Sequence, residues 1–108
     1  MSETLAAVRP LVARGEVRLS RHGFLELAAD DILLDDVVAA LAAAVVVEDY
    51  PMAGRGPSVL VLQRDRDNRP VRVVWGVAKG STTPAVLITA YRPDPALWSD
   101  DFTRRKAP

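Results

Sequence analysis

Four runs of β-forming residues, joined by short turns, make up the second half of the chain and limit its possible folds. They occupy residues 45–51, 58–63, 71–78 and 85–91. The connections between them are short, whereas a parallel crossover needs a dozen or more residues. We therefore expect four consecutive strands in an antiparallel meander. The second run contains the unbroken apolar segment Val59-Leu60-Val61-Leu62, which predicts burial on both faces of the sheet.

Helical periodicity dominates the first half of the chain. Residues 2–14 form an alanine-rich amphipathic segment, in which Pro10 predicts either one kinked helix or two short pieces. A short strand at 17–19 leads into a helix from 22 to about 29, and a second helix runs from about 34 to 43. This order of elements predicts an α+β fold, with helices packed on one face of an antiparallel sheet of about four to five strands.

The length of the chain, 108 residues, suits a single domain with one hydrophobic core. We expect an N-terminal helix at 1–15, an α+β core at 16–98 and a basic tail at 99–108. The chain has no cysteine and one histidine, which excludes disulfides, thiol catalysis and the usual zinc sites. We expect neither a metal nor a cofactor. No apolar run has the length of a membrane span and no leader-like segment is visible, which predicts a cytoplasmic protein.

Charge is balanced along the chain, with 14 Lys and Arg against 14 Asp and Glu and a pI of about 6.6. Proteins that bind nucleic acid usually carry a net positive charge. Any such partner of this chain must therefore be held by a local patch. The basic run Arg104-Arg105-Lys106 is one candidate, and its alternative interpretation is a solvated tail.

The stretch 17–24 carries the sole histidine, at the junction of a strand and a helix. Ser20 suits the N-cap position, which would place His22 in the first turn of the helix, close to unpaired N–H groups where anions bind. Arg18 and Arg21 stand beside it. Histidine titrates near neutral pH without tuning, so a reactive centre in this chain would be centred on His22. The structural alternative is that His22 caps the helix or bonds a backbone carbonyl.

Several separated segments share one pattern. They are Arg18-Leu19-Ser20-Arg21-His22, Ile32 with Asp35-Asp36-Val37, Glu48-Asp49-Tyr50-Pro51, Asn68-Arg69-Pro70-Val71-Arg72-Val73-Val74, and Thr89-Ala90-Tyr91-Arg92-Pro93-Asp94-Pro95 followed by Trp98 and Arg104-Arg105-Lys106. In order and spacing these segments resemble the bacterial family catalogued as domain of unknown function 4258. The resemblance covers roughly residues 17–106.

This resemblance implies a relation to RelE-like toxins, whose fold belongs to the barnase-EndoU-colicin-RelE type with helices on one face of a sheet. It implies a metal-independent ribonuclease that serves as the toxin of a toxin–antitoxin pair. A cognate antitoxin is the partner that follows from this, with RNA or the ribosome as further partners.

Metal-free RNA cleavage needs a base for the 2′-hydroxyl proton, cations for the charged transition state and an acid for the leaving oxygen. Guanidinium groups bind phosphate bidentately, which makes arginines the candidate clamps. A tyrosine could orient the substrate or donate a proton. We expect His22, Arg72 and Tyr91 as catalytic residues, and Arg18, Arg21, Arg92 and Arg105 as substrate-binding residues.

Arg72 stands where many members of the resembled family carry a second histidine. It would stabilise the phosphorane while His22 handles the proton. The structural alternative is that Arg72 pairs with Glu48 or Asp49 across the sheet. Tyr91 has an alternative role as a packing residue.

These expectations leave two main candidate functions. The first is an endoribonuclease toxin that acts on mRNA. The second is a non-catalytic protein-interaction domain that retains the fold, which the balanced charge and the replaced histidine suggest. A small-ligand-binding protein is a third candidate, and it would need a deep apolar pocket.

Overall fold

The computed structural model describes residues 2–94, and in this part of the chain three α-helices pack on one face of a five-stranded sheet. The helices are α1 (Glu3–Ala13), α2 (Arg21–Ala29) and α3 (Leu34–Ala40), the last followed by a single 3-10 turn at Leu41–Ala43. The strands are β1 (Val17–Leu19), β2 (Val45–Tyr50), β3 (Ser58–Arg64), β4 (Pro70–Gly76) and β5 (Ala85–Tyr91). The α+β fold expected from the sequence is confirmed.

The strands lie in the order β1-β5-β4-β3-β2. Strands β2 to β5 form the predicted antiparallel meander, because each connection is too short for a crossover. Strand β1 adds to the free edge of β5 in parallel, with Val17 opposite Ala85. The chain between β1 and β5 supplies the long connection that a parallel pair requires.

Helix α1 is a single helix that contains Pro10, so the alternative of two short pieces is wrong. Ser2 caps its start, where its hydroxyl accepts the Leu5 N–H at 3.1 Å. At its end, Gly15 adopts a φ of 77°, and the Glu16 N–H reaches back to the Leu11 carbonyl at 2.9 Å. This Schellman-type ending needs a left-handed residue, which glycine adopts without strain.

The face of the sheet under the helices forms the main core. Trp75 is fully buried there, and its indole N–H donates to Gln63 at 2.9 Å. Gln63 in turn donates to the Val37 carbonyl of α3 at 2.7 Å, so each polar group in this part of the core is satisfied. The apolar members of the core from the helices are Leu5, Val8, Leu11, Val12, Leu27, Val37 and Leu41.

The opposite face, here called the second face, is defined by residues whose side chains alternate with those of the core. Leu60 and Leu62 of β3 lie on it and are buried, as are Arg72 of β4 and Val86 of β5. Every residue from Ser58 to Gln63 is buried, which confirms the prediction that β3 is covered on both faces.

Among the helices in residues 2–94, none has the length and apolar character needed to cross a membrane. The longest, α1, has 11 residues.

Candidate functional site

Ser20 fixes the start of α2 and therefore the position of His22. Its hydroxyl accepts the Gly23 N–H at 2.9 Å and donates to the Ile88 carbonyl of β5 at 2.9 Å. One side chain thus caps the helix and ties it to the sheet. The predicted strand-to-helix junction is confirmed, and His22 lies in the first turn with 67% of its side chain exposed.

His22 is paired with Glu26, one helical turn further along α2. The distance between His22 Nε2 and Glu26 Oε1 is 2.9 Å. A carboxylate oxygen accepts and does not donate, so Nε2 carries the proton and Nδ1 is the nitrogen that can take another one. The same Glu26 oxygen accepts the Ala90 N–H of β5 at 3.3 Å. Because the sheet edge holds Glu26, the imidazole has a defined orientation.

Helix α2 continues the role of β1 along the edge of β5. Strand β1 ends at Leu19. Further along β5, the N–H groups of Ala90 and Arg92 donate to side chains of α2 and of the residue that ends it. Glu26 accepts from Ala90, and Asp30 accepts from the Arg92 N–H at 3.0 Å. An edge strand that would otherwise expose unpaired donors is covered in this way.

Arg18 and Arg21 flank His22 and are exposed. Arg18 lies opposite Val86 in the parallel pair, so its side chain lies on the second face. Within residues 2–94 neither arginine forms an ion pair or a side-chain hydrogen bond, whereas Arg14, Arg66 and Arg92 each pair with a carboxylate. These two guanidinium groups are therefore available to an anion.

Arg72 and Tyr91 lie side by side on the second face, as directly opposed residues of β4 and β5. Arg72 is fully buried. Burial lowers the pKa of its guanidinium, while the nearby Tyr91 and Tyr50 hydroxyls act in the opposite direction. Arginine remains a cation despite such a shift. Its burial means that in this conformation it contributes positive potential rather than direct contact with a substrate.

The carboxylates considered as partners of Arg72 have other roles. Glu48 accepts the Tyr50 hydroxyl at 2.9 Å, and burial together with this bond raises the pKa of Tyr50. Asp49 lies opposite Val59 on the helix-covered face, where it accepts the Ser2 hydroxyl at 2.9 Å. The alternation of side chains along β2 thus separates Asp49 from the second face.

The predicted catalytic residues lie in two parts of the structure. In the described part of the chain, no hydrogen bond or ion pair links His22 to Arg72 or Tyr91. The first group is the exposed His22–Glu26 pair at the edge of β5, and the second is the Arg72–Tyr91 pair on the second face.

Arg92, predicted to bind substrate, is held by an ion pair instead. Its guanidinium donates to Asp65 at 2.9 Å, with only 19% of the Arg92 side chain and 6% of the Asp65 side chain exposed. Because Asp65 neutralises the Arg92 guanidinium, we expect Arg92 to attract an anionic ligand only weakly. Arg105, the other predicted contact, lies outside the described residues.

Sequence reasoning missed Arg55. It lies in the loop between β2 and β3, and with Arg18 it lines a cavity of about 440 Å³ on the second face. The signal for it is the run Gly54-Arg55-Gly56, in which an arginine stands between two residues without side chains. The sequence could not show that this loop folds toward β1, since that contact is tertiary.

No group of three or more His, Cys, Asp or Glu residues that could hold a metal ion occurs within residues 2–94.

Comparisons with known proteins place the chain in a family. Neither the curated proteins nor the solved structures gave a match. The family model described as "Domain of unknown function (DUF4258)" matches residues 19–92. This match covers more than half of the chain and runs from the end of β1 to the residue after β5. The chain therefore belongs to the DUF4258 family.

Proposed function

We propose that this chain is a metal-independent endoribonuclease that acts on mRNA in the cytoplasm as the toxin of a toxin–antitoxin pair. The observation that supports this most directly is the exposed His22–Glu26 pair, flanked by Arg18 and Arg21. It combines a proton acceptor with two unpaired cations within residues 18–22. These are two of the elements that RNA cleavage without a metal requires.

In this scheme Nδ1 of His22 takes the proton of a ribose 2′-hydroxyl. The 2′-oxygen forms a bond to the adjacent phosphorus, and the bond from phosphorus to the 5′-oxygen breaks. The products are a 2′,3′-cyclic phosphate and a 5′-hydroxyl, and the imidazolium returns its proton to the leaving oxygen through water. Glu26 stabilises the imidazolium, while Arg18 and Arg21 stabilise the negative charge on the phosphorane.

The test is to express the chain and to assay the purified protein against single-stranded RNA. Wild type should arrest growth and cleave RNA, and His22→Ala should reduce the cleavage rate about 100-fold or more, since a positioned acid–base group contributes that much. Arg69→Gln is the control, because Arg69 is exposed on the β3–β4 hairpin, away from His22. If wild type and His22→Ala behave identically in both assays, the proposal is wrong.

A non-catalytic interaction domain is the second candidate. It is supported by the burial of Arg72, by the ion pair of Arg92 and by exposed apolar side chains on and after α2. Phe24 is 52% exposed and Leu25 is 57% exposed. This candidate predicts a stable complex with the product of a neighbouring gene and no RNA cleavage by the purified chain. Cleavage that depends on His22 would exclude it.

A further inference from the structure

The cavity on the second face has the size of a small-molecule site. Its volume of about 440 Å³ falls within the range of roughly 300–1,000 Å³ typical of ligand pockets. Strands β1 and β5 form one wall, with Arg18 at the rim, and the β2–β3 loop forms the other, with Arg55. No acidic residue is among the described residues that line it.

The loop that carries Arg55 is held in place by its backbone. The Arg55 carbonyl accepts the Lys79 N–H at 2.9 Å, and the Pro57 carbonyl accepts the Val77 N–H at 3.2 Å. Between them, Gly56 has a φ of 126° and lies so close to the Val77 carbonyl that a side chain could not fit. Backbone hydrogen bonds therefore hold this wall of the cavity, while the Arg55 guanidinium forms no ion pair within residues 2–94.

The two cations at the cavity have no counter-charge within residues 2–94. Neither Arg18 nor Arg55 forms an ion pair or a side-chain hydrogen bond there. Two unneutralised guanidinium groups at one small cavity favour an anionic ligand, and guanidinium binds phosphate in a bidentate manner.

The floor of the cavity is apolar. Val74, Val86 and Ile88 lie there, and the end of the Ile88 side chain packs closely over Gly76. An apolar floor below a cationic rim matches a molecule with a flat, weakly polar body and an attached phosphate. A nucleotide has this chemistry.

We propose that this cavity binds one nucleotide unit, with its phosphate on Arg18 and Arg55 and its base against Val74, Val86 and Ile88. The inference rests on the proposed function only for the source of the nucleotide, which would be a unit of the RNA substrate. The site itself is defined by the cavity and its two unpaired arginines.

The experiment measures binding by calorimetry to the full chain, using adenosine monophosphate, adenosine, inorganic phosphate and a short RNA made uncleavable by 2′-O-methyl groups. Adenosine monophosphate should bind more tightly than adenosine and than phosphate. Arg55→Gln should weaken it about tenfold or more, because a hydrogen-bonded charge is lost. Arg69→Gln removes an equal charge from an exposed residue outside the cavity and should leave the affinity unchanged.

Three results would overturn the inference: no saturable binding of adenosine monophosphate, binding no tighter than that of phosphate, or equal weakening by Arg55→Gln and Arg69→Gln. Tighter binding of the methylated RNA with the same dependence on Arg55 supports RNA as the source, and tighter binding of the mononucleotide supports a free nucleotide. His22-dependent cleavage without nucleotide binding would refute the site and leave the proposed function intact. Arg55-dependent binding without cleavage would support the site and refute the proposed function.

Discussion

Asp65 organises the turn between β3 and β4 through contacts with three donors. One carboxylate oxygen accepts the N–H groups of Asp67 and Arg69, each at 2.9 Å, and the other accepts the Arg92 guanidinium at 2.9 Å. The run 64–69 reads as a solvated turn in the sequence, and most of its residues are indeed exposed. Asp65 differs because its side chain is almost fully buried.

Replacement of Asp65 by Asn should lower the free energy of unfolding by about 2 kcal/mol, the usual effect of losing a hydrogen-bonded charge. Burial raises the pKa of Asp65, but the Arg69 and Asp67 N–H groups and the Arg92 side chain outweigh it, so the pKa is lowered overall. A lowered pKa in the folded state stabilises the fold above about pH 4, and this stabilisation is lost as the pH falls through the lowered value.

Urea denaturation as a function of pH measures this effect. The difference between wild type and Asp65→Asn should be largest above about pH 4 and should shrink at lower pH. Asp67→Asn is the matched control, since the Asp67 side chain is exposed and its replacement should change stability by less than about 0.5 kcal/mol. A difference between wild type and Asp65→Asn that stays constant down to the acid limit would contradict this role.

At the scale of elements, Gly23 determines how closely α2 approaches β5. A Cβ atom at this position would lie 2.6 Å from the Leu87 carbonyl oxygen, which is backbone and cannot move aside. Alanine normally favours a helix interior over glycine by about 1 kcal/mol. Here the close contact outweighs that preference, because α2 would have to move away from the sheet.

Gly23→Ala should therefore destabilise the protein by about 1–3 kcal/mol, as overpacking does. It should also weaken the Ser20–Ile88 and Glu26–Ala90 contacts that hold His22 in place. Gly54→Ala is the control, since nothing lies within 4 Å of the added atom. Thermal unfolding compares the variants, and an unchanged or raised melting temperature for Gly23→Ala would disprove the close-packing argument.

The elements were largely predictable, because periodicity and caps are local properties of the sequence. Ser20 was identified as an N-cap, and the four strands of the meander were located to within about two residues. The parallel pairing of β1 was not predictable, because three residues carry too little information to choose a partner.

At the scale of the whole molecule, the formal net charge is zero, but only some of the arginines are neutralised by ion pairs. The ion pairs Arg66–Asp36 and Arg92–Asp65 join residues that are 30 and 27 positions apart, so the sequence could not show which cations are neutralised. In the described part of the chain, Arg18, Arg21 and Arg55 remain without such partners. Arg18 and Arg55 line one cavity, and a nucleic acid partner would require a local positive surface of this kind.

The candidate site was predictable only in part, because some of its contacts are local in the sequence and others depend on tertiary packing. The position of His22 followed from a local cap, and Glu26 could have been found from its i,i+4 spacing. The burial of Arg72 depends on the packing of the second face, which sequence periodicity does not describe.

The most direct test of the account is the rate at which wild type, Glu26→Gln and His22→Ala cleave one labelled single-stranded RNA. Gln keeps an oxygen that can accept the Ala90 N–H, so Glu26→Gln should retain the thermal stability of wild type while it loses the charge that supports the imidazolium. We expect the rate to fall in steps, with His22→Ala slower than wild type by about 100-fold or more and Glu26→Gln between the two. Equal rates for all three folded proteins would contradict the assignment of His22 as the acid–base residue.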